Sequence, residues 1–185
     1  MKNFLKIIFV ILVILGIWYL YNQSIGTPIP TNTVVTSNQT AVTHPNPSNA
    51  TFDFEDGPIT LKNGTNEKNI DPSGASVLET MLTDVIGYGD INNDKKDDAV
   101  MAIVQDGASS GVFIYIAAYV SAPLNYKGTN ALFVGDRIEP KTITIKNGLI
   151  TFTYLDRKNG EPMSADPTVM TTKTYKYSNG FLVEA

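Results

Sequence analysis

Apolar and polar positions divide the chain into three stretches. Residues 7–21 are apolar and uncharged, and Lys2 and Lys6 precede them. Counting Phe4 and Leu5, with Lys6 snorkelling, the run is just long enough to cross a bilayer. Trp18, Tyr19 and Tyr21 gather at its far end, where an interfacial aromatic belt would sit. The pattern predicts an N-terminal transmembrane helix over residues 1–21, single-pass, in the cytoplasmic membrane. Lysines at its start put the N-terminus inside and the rest of the chain outside. A cleaved signal peptide, with Ser24, Ile25 and Gly26 as the small-residue site, is the alternative. Residues 22–49 lack charge and apolar periodicity, and are rich in Thr, Asn, Pro and Ser. They predict a disordered linker that Pro28, Pro30, Pro45 and Pro47 keep extended. His44, just before Pro45, reads as incidental.

Residues 50–185 alternate in the manner of strands. Residues 51–55 and 59–62 are short candidates separated by Asp56, Gly57 and Pro58. Residues 65–74 are polar and read as loop. Residues 76–85 fit two patterns. Ser76 and Glu79 form a capping box ahead of Val77, Leu78, Met81, Leu82 and Val85, which share a helical face. A strand is the alternative. Residues 99–104 and 112–120 are continuous apolar runs, and the second reads as a central strand buried on both faces. Residues 131–134 give a short strand. Residues 141–145 and 149–154 flank Lys146, Asn147 and Gly148, a hairpin signal. Residues 168–177 alternate and turn at Ser178, Asn179 and Gly180 into 181–183. The prediction is a mainly β or α+β fold: an antiparallel sheet, small sandwich or barrel with at most one or two short helices.

Composition narrows the function classes. Among 185 residues, Lys and Arg number 14 and Asp and Glu 18, for a formal charge of −4. Setting Lys2 and Lys6 aside leaves 12 basic residues against 18 acids, or −6. A nucleic-acid partner would want a basic face instead. There is no cysteine, hence no disulfide framework and no thiolate zinc site. His44 is the only histidine, so residues 50–185 contain neither a Ser-His-Asp nor a Cys-His set.

The sharpest chemistry lies in residues 89–100. Asp90, Asn92, Asp94 and Asp98 occupy positions one, three, five and nine of a loop, and the carbonyl of Lys96 would supply position seven. That spacing lets short oxygen ligands meet on a hard cation, so calcium is the expected ion. Met101 stands where an EF-hand has its bidentate glutamate, and Lys95 where it has a glycine. An Asx-rich turn without metal is the other reading. Asp98 followed by the apolar 99–104 run resembles the calcium loops of FG-GAP, integrin-like repeats, which join two strands.

A broader likeness extends over most of residues 84–185. It rests on Gly89-Asp90-Ile91-Asn92-Asn93-Asp94, Gly128-Thr129-Asn130-Ala131, Gly135-Asp136-Arg137-Ile138, and Asp156-Arg157 with Gly160-Glu161-Pro162-Met163. Together these resemble a family of exported bacterial domains whose loop usually reads Gly-Asp-x-Asn-Gly-Asp-Gly. This chain carries Asn93 and Lys95 at those two glycines. The resemblance implies an exported domain and no particular activity.

Two polar knots complete the candidates: Asp136 and Arg137 with Glu139, and Asp156, Arg157 and Lys158 with Glu161. Each reads as a strand-end ion pair or as a grip on an anion. The expected role is a membrane-tethered, extracytoplasmic, non-catalytic domain, calcium-stabilised, that binds a cell-envelope protein or glycan. The alternative is a small carbohydrate-active hydrolase using Asp156 with Glu161.

Overall fold

The computed structural model describes residues 44–74, 76–107 and 111–185. The expected membrane segment and the linker as far as residue 43 lie outside the described residues. Those described form a mainly β protein of antiparallel sheets, as the alternation predicts. The twelve strands are β1 (Thr51–Phe54), β2 (Gly57–Thr60), β3 (Thr65–Asn69), β4 (Val77–Gly89), β5 (Asp98–Gly107), β6 (Val112–Ser121), β7 (Tyr126–Gly128), β8 (Leu132–Asp136), β9 (Glu139–Lys146), β10 (Leu149–Asp156), β11 (Val169–Ser178) and β12 (Phe181–Glu184).

A six-stranded sheet runs β3-β4-β5-β6-β7, and β8 pairs with the other end of β6. A four-stranded meander, β9 to β12, lies on one face of it, and the β1–β2 hairpin lies on the other. Strand β5 shows why its sequence is apolar without a break. Val100 and Ala102 point into the core shared with the meander, beside Ile143, Ile150, Phe152 and Tyr175. Ala99, Met101 and Ile103 point the opposite way, to Phe52, Phe54 and Leu61. Strand β6 repeats this, with Ile114, Ile116, Ala118 and Val120 facing one core and Ala117 the other. A strand covered on both faces loses its polar alternation.

Tertiary context settles residues 76–85 in favour of the strand. Val77 to Gly89 pairs with β3 on one side and β5 on the other. Helical and strand readings were both open because residues from both faces of β4 are partly buried. The register slips between Leu82 and Ile86, and there Thr83 Oγ1 donates to the carbonyl of Ala102 at 2.9 Å. The polar segment expected as loop contains β3. An edge strand exposed on most of its surface needs no apolar side chains, so Thr65–Asn69 carries none. The hairpin expected at Lys146, Asn147 and Gly148 forms, with φ of 53° at Asn147 and 75° at Gly148. Two successive left-handed residues are what a tight β-hairpin turn demands.

The packed part of the chain begins before residue 50, where the linker was expected to end. Pro45 and Pro47 are buried, and a 3-10 turn spans Pro47–Asn49. The carbonyl of Ser48 accepts the Gly64 N–H at 2.8 Å, and Asn49 Oδ1 accepts that of Asn63 at 3.0 Å. Two of the four prolines that suggested an extended tether, Pro45 and Pro47, are thus buried in the fold.

Candidate functional site

The acidic loop joins β4 to β5. It is built around one carboxylate. Asp90 Oδ1 accepts the N–H groups of Asn92, Asn93 and Asp94 at 3.2, 2.6 and 3.2 Å, and Oδ2 accepts that of Lys95 at 2.8 Å. Gathering four N–H donors requires the backbone to turn sharply. Asn93 and Lys95 take φ of 65° and 68° for that purpose. These are the two positions where the resembled loop has glycine. The left-handed conformation costs a lysine roughly 1–2 kcal/mol. A hydrogen bond to a charged acceptor contributes about 1.5–3 kcal/mol, so four of them outweigh the strain.

The rest of the loop is tied to the end of β6. Asn92 Oδ1 accepts the Asp94 N–H at 3.0 Å, while its amide nitrogen donates to the carbonyl and hydroxyl oxygens of Ser121 at 3.0 and 3.2 Å. Asp94 Oδ1 accepts the Lys96 N–H at 2.9 Å, and its Oδ2 accepts the Ser121 hydroxyl. The Tyr126 hydroxyl donates to the carbonyl of Asp97 at 2.9 Å. Ile91 is buried in the core beneath.

Asp98 is the innermost member. It is fully buried, and it accepts the Ile91 N–H on Oδ2 at 2.9 Å and the Ser121 N–H on Oδ1 at 2.8 Å. One side chain thus joins the loop, the start of β5 and the end of β6. Burial raises its pKa above the ordinary carboxylate value, against the lowering effect of its two N–H donors. Exposed Asp94 shifts the other way, lowered chiefly by the Ser121 hydroxyl. The linkage signs are therefore opposite. Asp98 adds stability below the unfolded-state value of 3.8 and loses it as pH climbs through its raised pKa. Asp94 adds stability above 3.8 and loses it as pH falls.

The predicted ligand positions are therefore distributed as follows. Asn92, Asp94 and Asp98 come together at Ser121, while Asp90 serves the loop's own backbone. Lys96 is exposed and brings its N–H to Asp94. Among the described residues, no three His, Cys, Asp or Glu side chains are grouped so that they could hold a metal ion. Ser121 carries much of this arrangement and has no signal in the sequence, where it only ends an apolar run.

His44 is not incidental. Its ring stacks on Tyr88 with centroids 4.2 Å apart, and its Nδ1 lies 2.9 Å from Asp97 Oδ2. The only histidine of the chain thus belongs to the folded part and sits beside the acidic loop.

The two polar knots prove to be one structure. Arg157 donates to the carbonyls of Ala165, Asp136 and Arg137 at 2.7, 3.1 and 3.0 Å, and so ties the β8–β9 turn to the β10–β11 loop. Arg137 pairs with Asp136 at 3.3 Å, while Glu139 turns to Lys141. Asp156 Oδ1 accepts the Arg157 N–H at 2.7 Å. Glu161 accepts the Lys158 N–H at 3.0 Å, with the Lys158 ammonium 3.8 Å away. Both acids of the alternative hydrolase pair are thus engaged in their own loop.

Comparison with protein-family models, with curated proteins and with solved structures finds no match.

Proposed function

We propose that this is an extracytoplasmic, membrane-tethered, non-catalytic domain that binds a component of the cell envelope, with an acidic loop that accepts calcium weakly. The observation that carries the calcium reading is the turn at position six. Lys95 adopts the left-handed conformation and its N–H reaches Asp90 Oδ2 at 2.8 Å. A one-three-five-seven-nine loop needs this turn, and glycine usually makes it. Asp90, Asn92, Asp94, Asp98 and the carbonyl of Lys96 would hold the ion, which would supply charge neutralisation within the loop. Asp90 Oδ2, Asp94 Oδ1 and both oxygens of Asp98 each accept a single N–H and keep a second lone pair, whereas Asp90 Oδ1 is occupied by three. Asp94 would have to release Ser121, which argues for a weak site of the extracellular kind. The non-catalytic reading is supported by the engagement of Asp156 and Glu161 within one loop and by the absence of any cysteine.

Tethering rests on the Lys-flanked apolar run with its aromatic end. The mature protein is expected to resist extraction from membranes by alkaline carbonate and to retain residues 4–21 on N-terminal sequencing. A mature N-terminus near Thr27 would show a secreted domain instead.

A further inference from the structure

The β1–β2 hairpin covers only part of the outer face of the six-stranded sheet. Beside it runs a groove of about 670 Å³. Its floor is Leu78, Gln105 and Tyr115, one wall is the hairpin, and the other is β3. The polar groups in it are mostly acceptors. Exposed Glu55 and Asp56 stand on the hairpin wall and Glu67 on the β3 wall, against one base, Lys68. Gln105 is only 7% exposed, and its amide nitrogen donates to Thr80 Oγ1 at 3.3 Å. Its Oε1 accepts from no group among the described residues. The residue lines the groove. Tyr115 lies edge-on to Phe54 at 5.0 Å, and the fields of Asp56 and Glu55 add to its burial in raising its phenol pKa.

An excess of carboxylates over bases, above an aromatic and aliphatic floor, calls for a ligand that brings donors and a positive charge. Among the described residues the β3 wall is also an edge of its sheet, bridged only at Thr65 to Lys62, and an edge offers main-chain groups to an extended chain. We propose that this groove binds an extended peptide segment carrying a lysine side chain between apolar neighbours, with the ammonium received by Glu55, Asp56 and Gln105 Oε1. The inference deepens the binding role proposed above and rests on it, naming the partner's chemistry.

The test is calorimetric titration of the full chain in detergent with a blocked leucyl-lysyl-leucine peptide. Its norleucine analogue and a glucosamine trimer are titrated alongside. The lysine peptide is expected to bind, and the norleucine peptide to bind about tenfold more weakly or worse. The Glu55→Gln, Asp56→Asn double variant should lose a similar factor while keeping its melting temperature, because both residues are exposed. Gln105→Leu tests the floor and should also weaken binding. Equal binding of the two peptides, an unchanged affinity in the double variant, or no binding at millimolar peptide would overturn the proposal. So would a groove that prefers the glucosamine trimer, since the partner would then be a glycan. Cleavage of the peptide, read by mass spectrometry, would instead contradict the non-catalytic role on which the inference rests.

Discussion

Asp98→Ala is expected to lower the unfolding free energy by about 2–4 kcal/mol. The residue is fully buried and receives the N–H groups of Ile91 and Ser121. Alanine leaves both donors without a partner, and each orphaned buried group costs about 1–3 kcal/mol. Relief of the buried charge offsets part of this, which keeps the estimate below the sum. The melting temperature should fall by roughly 5–15 °C for a domain of this size. The pH dependence has a definite sign. Burial raises the Asp98 pKa, so the residue contributes most in acid and less as pH rises past 3.8. The deficit of Asp98→Ala relative to the unmutated chain should thus be larger near pH 3 than near pH 7. Denaturant titrations at the two pH values read it. A deficit that grows with pH would mean that the two hydrogen bonds outweigh desolvation.

Gly87→Ala should cost about 1–3 kcal/mol, although its side chain is a single methyl group. Strand β4 passes so close to β9 that a Cβ at this position would lie 2.7 Å from both Cγ2 and the carbonyl oxygen of Ile143. A side-chain methyl can rotate away, but the carbonyl belongs to the strand backbone. Relief therefore requires β4 and β9 to separate, and with them the core residues Val85 and Ile143. Thermal melts check this. An unchanged melting temperature would show that the two strands do not approach so closely.

The fold was legible wherever burial writes itself into the pattern. The apolar runs of β5 and β6, the hairpin at Asn147 and Gly148 and the turn before Phe181 could all be read from residue order. Strand β3 could not, because its exposed residues carry no hydrophobic signature. The helical face of 76–85 was a coincidence of two periods in a strand partly buried on both sides. At the acidic loop, spacing revealed Asp90, Asn92, Asp94 and Asp98 as a group, and the left-handed turns fall at the positions where the resembled family has glycine. Spacing could not reveal their partners. Ser121 meets Asp98 from 23 positions away along the chain, and His44 meets Asp97 with strands β1 to β4 lying between them in sequence. Arg157 looked like an ion-pairing residue and instead holds three carbonyls, a role that composition does not distinguish.

Whether the Asp90 loop takes a cation is tested most directly by melting the full chain with calcium and with chelator at constant ionic strength. A site of the weak, extracellular class has a Kd on the order of 10⁻⁴–10⁻³ M. At about 2 mM calcium, linkage then adds roughly 0.6–1.8 kcal/mol, a rise of a few degrees in melting temperature. Asp94→Asn should abolish the rise and leave a folded protein, because Asp94 is exposed. Superimposable curves for the unmutated chain would contradict the calcium reading and leave an Asx turn held by its own hydrogen bonds.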